Sequence, residues 1–303
     1  EALFEELPAE GLDPDITAWA SRRQRFKRQL LYYGVDVICI QGIQSVGFEM
    51  RSSETDPSWF SNDSVPAADH FVHMYHDLSP SNYAAVFNPM MQLPGTVLCL
   101  GNAVFWKRSR CSVLRTWGVG QTAVCVELSF CVDGTTVVVC SSKSAFSCAR
   151  EWGDASTDEE LVKSVQGVNR ALAEALKTGS QPIWCGDFGC SADVVLASLT
   201  PPGLTGPHWQ NSCEMVLGEV PWTASSPHLN WQSVDLILST AGLQPFAVVG
   251  GLSHRVSSLD LLRAGHPSEH LPQMALFMEG RHLTRWAQEV RVANAKSGQS
   301  HLH

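Results

Sequence analysis

The chain has 303 residues, 44% hydrophobic and 17% charged, with a formal net charge of -9 and a pI near 5.6. That length and composition describe a globular protein with enough chain to bury one large core, and exclude a disordered or fibrous one. The acidic balance argues against a protein whose main task is coating nucleic acid, though it leaves room for a local basic groove.

The 10 cysteines form no C-x-x-C pair, and most of them, such as Cys39, Cys99, Cys125, Cys140 and Cys185, lie in apolar runs. They read as reduced, buried thiols of an intracellular protein in a reducing compartment, not as zinc ligands or a disulfide framework. No apolar run is long enough to span a membrane. The acidic, amphipathic start, residues 1–7, is neither a signal peptide nor an Arg-rich transit peptide.

In chain order, Asp13 and Pro14 form a helix-start signal, followed by Trp19, Phe26, Leu30 and Leu31 at near-helical spacing. Arg22, Arg23, Arg25, Lys27 and Arg28 occupy the other faces. They read as a solvated surface, with RNA contact as the alternative. Residues 35–40 read as a buried strand ending at Gln41 and Gly42. Residues 45–82 are polar and irregular, expected to hold one helix and a long surface insertion. His70, His73 and His76 lie there at three-residue spacing, but no carboxylate or Cys cluster completes a ligand set. They therefore read as surface or packing histidines.

Residues 84–87, 102–106, 122–130 and 135–140 read as strands, the last two joined by an Asp133–Gly134 hairpin turn. Residues 141–144 are expected to leave that hairpin. Ser156 and Glu159 form a capping box before the apolar series Leu161, Val165, Val168, Leu172 and Leu176, a helix ending near Gly179. A short strand then reaches Gly186 and delivers Asp187, and residues 192–199 form a short helix. Residues 201–230 are a Pro-, Gly- and Trp-rich loop region that looks exposed. Strands follow at 233–238, bearing an inward Asp235, at 246–249 and at 274–278, with a turn at 267–272 and a polar, basic tail from 281. One domain over residues 1–280 with a tail at 281–303 is expected: an α/β (α+β) four-layer sandwich of two packed mixed β-sheets flanked by helices.

Asp187-Phe188-Gly189, Ser233-Val234-Asp235 and Ser268-Glu269-His270 each end or flank a strand. This order resembles the endonuclease/exonuclease/phosphatase superfamily, most closely its nocturnin- and Angel-type poly(A)-removing nucleases. The resemblance covers nearly the whole chain. Trp19 with Arg22-Arg23-Gln24 is similar to the family's W-x-x-R helix, and the run from Val35 to Gln41 to its D-I-L-C-L-Q-E-V strand. The run from Gly101 to Lys107 is similar to G-C-A-I-F-Y-K, and Pro221-Trp222-Thr223 to P-Y-T-T-W.

The resemblance implies a DNase I-like fold and hydrolysis of a phosphodiester at a Mg²⁺ (or Mn²⁺) centre held by carboxylates, with an Asp–His dyad facing the phosphate. Carried onto this sequence, the metal-binding Glu falls on Gly42 and the Asn of D-F-N falls on Gly189. The family's hairpin His falls on Lys143, and the Asp of S-D-H on Glu269, which would be the metal ligand if there is one. The family's first strand, with its Asn, would precede Glu1, so a domain without that strand is expected. Asp187, Asp235 and His270 remain as a vestigial catalytic set, with Gln41 and Lys143 as substrate-binding candidates, and Lys143 offers a charge in place of part of the metal.

The expectation is a fold that has lost catalysis and serves as a structural or interaction subunit among other proteins, with no cofactor. Two alternatives stand beside it. One is a Mg²⁺-dependent RNA 3′-exonuclease with unusual ligands, and the other is a binder of nucleotide or RNA that does not cut.

Overall fold

The computed structural model describes residues 18–60, 65–143, 158–199, 207–226, 229–249, 268 and 270–279. The chain runs α1 (Trp19–Tyr33), β1 (Val37–Val46), β2 (Arg51–Ser52), α2 (His70–Leu78), β3 (Tyr83–Gln92), β4 (Leu98–Lys107), β5 (Cys111–Val119), β6 (Ala123–Phe130) and β7 (Thr136–Lys143). It continues with α3 (Asp158–Lys177), β8 (Gln181–Asp187), α4 (Ala192–Leu199), β9 (Trp209–Asn211), α5 (Ser212–Leu217), β10 (Ala224–Ser226) and β11 (Leu229–Gln232). The last strands are β12 (Asp235–Thr240), β13 (Leu243–Val249) and β14 (Met274–Glu279).

Two sheets face each other. The first has the order β1-β4-β3-β2 and is antiparallel throughout, and the second has the order β5-β6-β7-β8-β12-β9. The second is mixed, because β7 and β8 are parallel. The layering follows from the two-residue period of a strand. On β3, Ala84 and Val86 point between the sheets, while Tyr83, Ala85 and Phe87 point to the side covered by α1 and α2. On β7, Val137 and Val139 point between the sheets, while Val138 and Cys140 lie under α3. Leu161, Val165, Val168, Leu172 and Ala175 form one buried stripe of α3, at alternating spacings of four and three. Helix, sheet, sheet and helix give the four layers of a DNase I-like sandwich.

The structure departs from the sequence reading in several places. Helix α1 opens at Trp19, and Asp13 and Pro14 lie outside the described residues, as do Ser156 of the capping box and the tail from 281. Strand β1 does not stop at Gln41: a register shift between Ile40 and Ile43 carries it on to Val46. Strand β5 was not foreseen. The stretch 45–82 is no loose insertion, since Ser45, Arg51 and Asp69 form a buried network, with Arg51 Nη1 3.1 Å from Asp69 Oδ2 and Ser45 Oγ 2.9 Å from Asp69 Oδ1. The Trp-rich region is partly interior as well: Trp209 is buried and donates to Asn169 Oδ1 at 2.8 Å.

The three histidines of α2 are packing groups. His70 stacks on Trp19 with ring centroids 4.0 Å apart. His73 Nδ1 accepts from Trp19 Nε1 at 3.4 Å, and His76 Nε2 meets the Phe60 carbonyl at 2.8 Å. On α1, Arg22 is buried and Arg23 and Lys27 both pair with Asp77 of α2, so part of that helix's charge is spent inside the protein.

Burial, then the charges of Arg22 and His73, push the His70 imidazole down to about 3 from its ordinary 6.5. The unfolded chain therefore takes up a proton between those values that the folded chain refuses. The His70 contribution is fully present above pH 6.5 and is lost as pH falls toward 3. Urea midpoints at pH 7 and pH 4 should differ less for His70→Phe, which keeps a ring against Trp19, than for the wild type. Equal pH dependence in both proteins would remove this account.

Candidate active site

Three neighbouring strands bring the site together. In the parallel β7–β8 pair Lys143 stands opposite Asp187, and in the antiparallel β8–β12 pair Asp187 stands opposite Asp235. A parallel pair needs a crossover, and α3 lies on the connection from β7 to β8. A cation and two carboxylates therefore sit in one row across the sheet. Gly186 is required by close approach. Trp184 Nε1 donates to Ser142 Oγ at 2.7 Å, and a side chain on Gly186 would begin 2.6 Å from that hydroxyl and 2.9 Å from the Ser142 carbonyl.

Asp187 is buried and engaged on both oxygens. Oδ2 lies 3.1 Å from Lys143 Nζ, and Oδ1 accepts the Gly189 N–H at 3.1 Å. The second contact closes a short Asx-type loop, which is what Asp after a strand commonly does. Residues 141–143 do not leave the hairpin, and Lys143 belongs to its second strand. It is the last residue of β7, and its side chain is only 10% exposed.

Asp235 Oδ2 lies 2.8 Å from His270 Nδ1. Thr223 pins this pair. Its hydroxyl oxygen accepts the N–H groups of Val234 at 3.1 Å and Asp235 at 3.0 Å, while its carbonyl accepts the Leu271 N–H at 2.8 Å. Gln273 Nε2 adds a 2.7 Å bond to the Asp235 carbonyl, and Ser268 Oγ accepts the His270 N–H at 3.1 Å. Burial works to lower the His270 pKa. The charge of Asp235 and its hydrogen bond outweigh burial, Asp187 adds to them, Lys143 opposes, and the group rises to about 10. His270 is therefore an imidazolium at neutral pH.

The structure thus gathers Asp187, Asp235, His270 and Lys143. Gln41 sits on the facing sheet, where its Nε2 donates to Ser141 Oγ at 3.0 Å. Glu269 lies outside the described residues. Gly42 does more than lack a side chain. It adopts φ +67°, which favours glycine, and a side chain there would begin 3.6 Å from both Cδ and Nζ of Lys143. The lysine thus lies in van der Waals reach of position 42, and it is the backbone angle that calls for glycine there. Sequence reasoning had the two positions as separate losses and missed Thr223 as a support, although Thr223 belongs to the Pro221-Trp222-Thr223 motif.

Ligand atoms of Asp187, Asp235 and His270 all lie within 4.8 Å of one another. As they stand, these groups do not fit a divalent ion. Mg²⁺ seeks several hard oxygen ligands and net negative charge. Here the Lys143 ammonium already stands 3.1 Å from the central carboxylate, whose other oxygen holds the Gly189 N–H.

No protein-family model and no curated protein sequence matches the chain. Solved structures do. The human nocturnin catalytic domain with bound sulfate is 16% identical at a TM-score of 0.57, covering 86% of this chain and 87% of that one. ANGEL2, described as a 2′,3′-cyclic phosphatase in complex with adenosine-2′,3′-vanadate, is 14% identical at 0.60, covering 88% and 89%. An endonuclease/exonuclease/phosphatase protein from Bacteroides vulgatus is 13% identical at 0.61, covering 90% and 94%. At these identities the likeness is one of fold. The chain carries the endonuclease/exonuclease/phosphatase fold and resembles nocturnin and ANGEL2 along most of its length.

Proposed function

We propose that this protein is a catalytically silent member of the phosphodiesterase fold that serves as a structural or interaction subunit of a larger assembly. One observation carries the reading: the ammonium of Lys143 sits on Asp187 and beside Gly42, so the protein's own cation neutralises the row that would otherwise collect a metal ion. Fixed donors aimed at a phosphate are each worth about 10²–10³ in rate. Gly189 offers only its backbone there, and that N–H is given to Asp187. The Asp235–His270 pair is left as a charge-assisted bond that holds the start of β12 to the segment before β14.

Incubating the protein with labelled oligo(A) and Mg²⁺ or Mn²⁺, beside the Asp187→Ala/His270→Ala double variant, tests the reading. No cleavage above background by either protein is expected. Cleavage by the wild type that disappears in the double variant would overturn the proposal in favour of a metal-dependent RNA 3′-exonuclease.

A further inference from the structure

Two cysteines from opposite sheets meet inside the sandwich. Cys39 of β1 and Ile183 of β8 both pack on the core between the sheets. Cys185, two residues on from Ile183, points the same way. Ser141 of β7 bridges the two strands. It stands opposite Cys185 in the parallel ladder, and its hydroxyl accepts from Gln41 Nε2 at 3.0 Å and donates to the Ile40 carbonyl at 3.4 Å. The backbone beside Cys39 is thereby held against β7 and β8. Cys39 is in turn hydrogen-bonded to Cys185 and to Ser141. Both thiols are half-buried and line one cavity.

We propose that Cys39 and Cys185 are a redox-modification site, at which a peroxide converts the two thiols into a reversible disulfide that ties the two sheets together. One disulfide is enough to span facing sheets of a sandwich, as in antibody domains. The alternative chemistry of such a pair is a soft metal ion. Zinc takes four ligands, and among the described residues no further His, Cys, Asp or Glu closes a set with these two. Two thiolates around a monovalent ion would leave a net negative charge in apolar surroundings, whereas a disulfide is neutral. The hydrogen bond to Cys185, then burial, push the Cys39 thiol well above its ordinary 9.0. Cys39 therefore keeps its proton, and the first attack falls to Cys185. The Cys185 sulfur attacks a peroxide oxygen, the O–O bond breaks, and Cys185 becomes a sulfenic acid as water leaves with the thiol proton. The Cys39 sulfur then displaces the sulfenic oxygen, which leaves with the Cys39 proton as a second water. Two thiols and one hydrogen peroxide thus give one disulfide and two waters. The bond lies two residues from Gln41 and two from Asp187. It does not depend on whether that row cleaves RNA.

The test uses a Cys131→Ser/Cys148→Ser protein, because Cys131 is exposed and Cys148 lies outside the described residues. Treated with hydrogen peroxide under native conditions and digested without reductant, it should yield a Cys39–Cys185 linked peptide that dithiothreitol removes. The oxidised protein should melt about 10 °C higher than the reduced one, as befits a crosslink that closes a long loop. Cys125 and Cys140 are the internal control. They stand directly opposite each other on β6 and β7 and are hydrogen-bonded, but both are fully buried, and they should stay reduced. In a further Cys39→Ser variant the Cys185 sulfenic acid has no resolving partner. Dimedone should trap it there, with no rise in melting temperature. Absence of the Cys39–Cys185 bond, its appearance only in urea, or equal linkage of Cys125 to Cys140 would overturn the proposal. None of these outcomes bears on the oligo(A) assay, so the two proposals fail separately.

Discussion

Replacing Lys143 with methionine should destabilise the protein by about 3–5 kcal/mol and at the same time make its stability respond to Mn²⁺. The first effect follows from leaving Asp187, 4% exposed in its side chain, as a buried anion without its cation. The second follows from the charge balance. Without the ammonium, Asp187 and Asp235 face one cation fewer, and a divalent ion that binds the folded state raises its stability by about 2.7 kcal/mol at a hundredfold excess over Kd. Thermal melting with and without millimolar Mn²⁺ reads both effects. The wild type should not respond. Lys143→Met/Asp187→Asn should recover much of the lost stability and lose the manganese response. A wild-type shift as large as that of the single variant would show that Lys143 does not stand in for a cation.

Arg51→Leu should cost a similar amount for a different reason. The guanidinium is 1% exposed, pairs with Asp69 Oδ2 and stacks over Trp59 at 3.9 Å. Asp69 in turn caps α2 through a bond from the Val72 N–H and holds Ser45 at the end of β1. Removing the cation alone strands that carboxylate, at about 3–5 kcal/mol. Arg51→Leu/Asp69→Asn removes the buried charge yet keeps an oxygen for the cap, and should restore more than half of the loss. Urea denaturation of the three proteins decides the point. If the double variant is no more stable than the single one, the ion pair is not what the site depends on.

Much of the fold was legible because its cores are strand-periodic. The apolar runs at β6, β7 and β8, the Asp133–Gly134 turn and the stripe on α3 state their structure without help from neighbours. Strand β5 does not. Its outward Arg115 and exposed Leu114, together with a register shift between Val113 and Arg115, break the two-residue rhythm. The Asp187, Asp235 and His270 cluster was legible from motif order. The role of Lys143 was not, because a lysine at the end of an apolar run reads as the point where a strand meets water. The register of β7 on β8, which sets it against Asp187, turns it inward. Trp209 was hidden for the same kind of reason: its surroundings are rich in Pro and Gly, and the Asn169 that receives its N–H lies forty positions away.

Thr223 has a mechanical meaning. One side chain fastens the start of β12, and the same residue's carbonyl fastens the segment that carries His270. The carboxylate and the imidazolium are therefore hinged on one peg. A pull on the loop that carries Thr223 would load both together and spare their 2.8 Å bond, and the ladder of β12 on β8, with the Phe188 N–H given to the Val234 carbonyl at 2.9 Å, would pass that load on to Asp187.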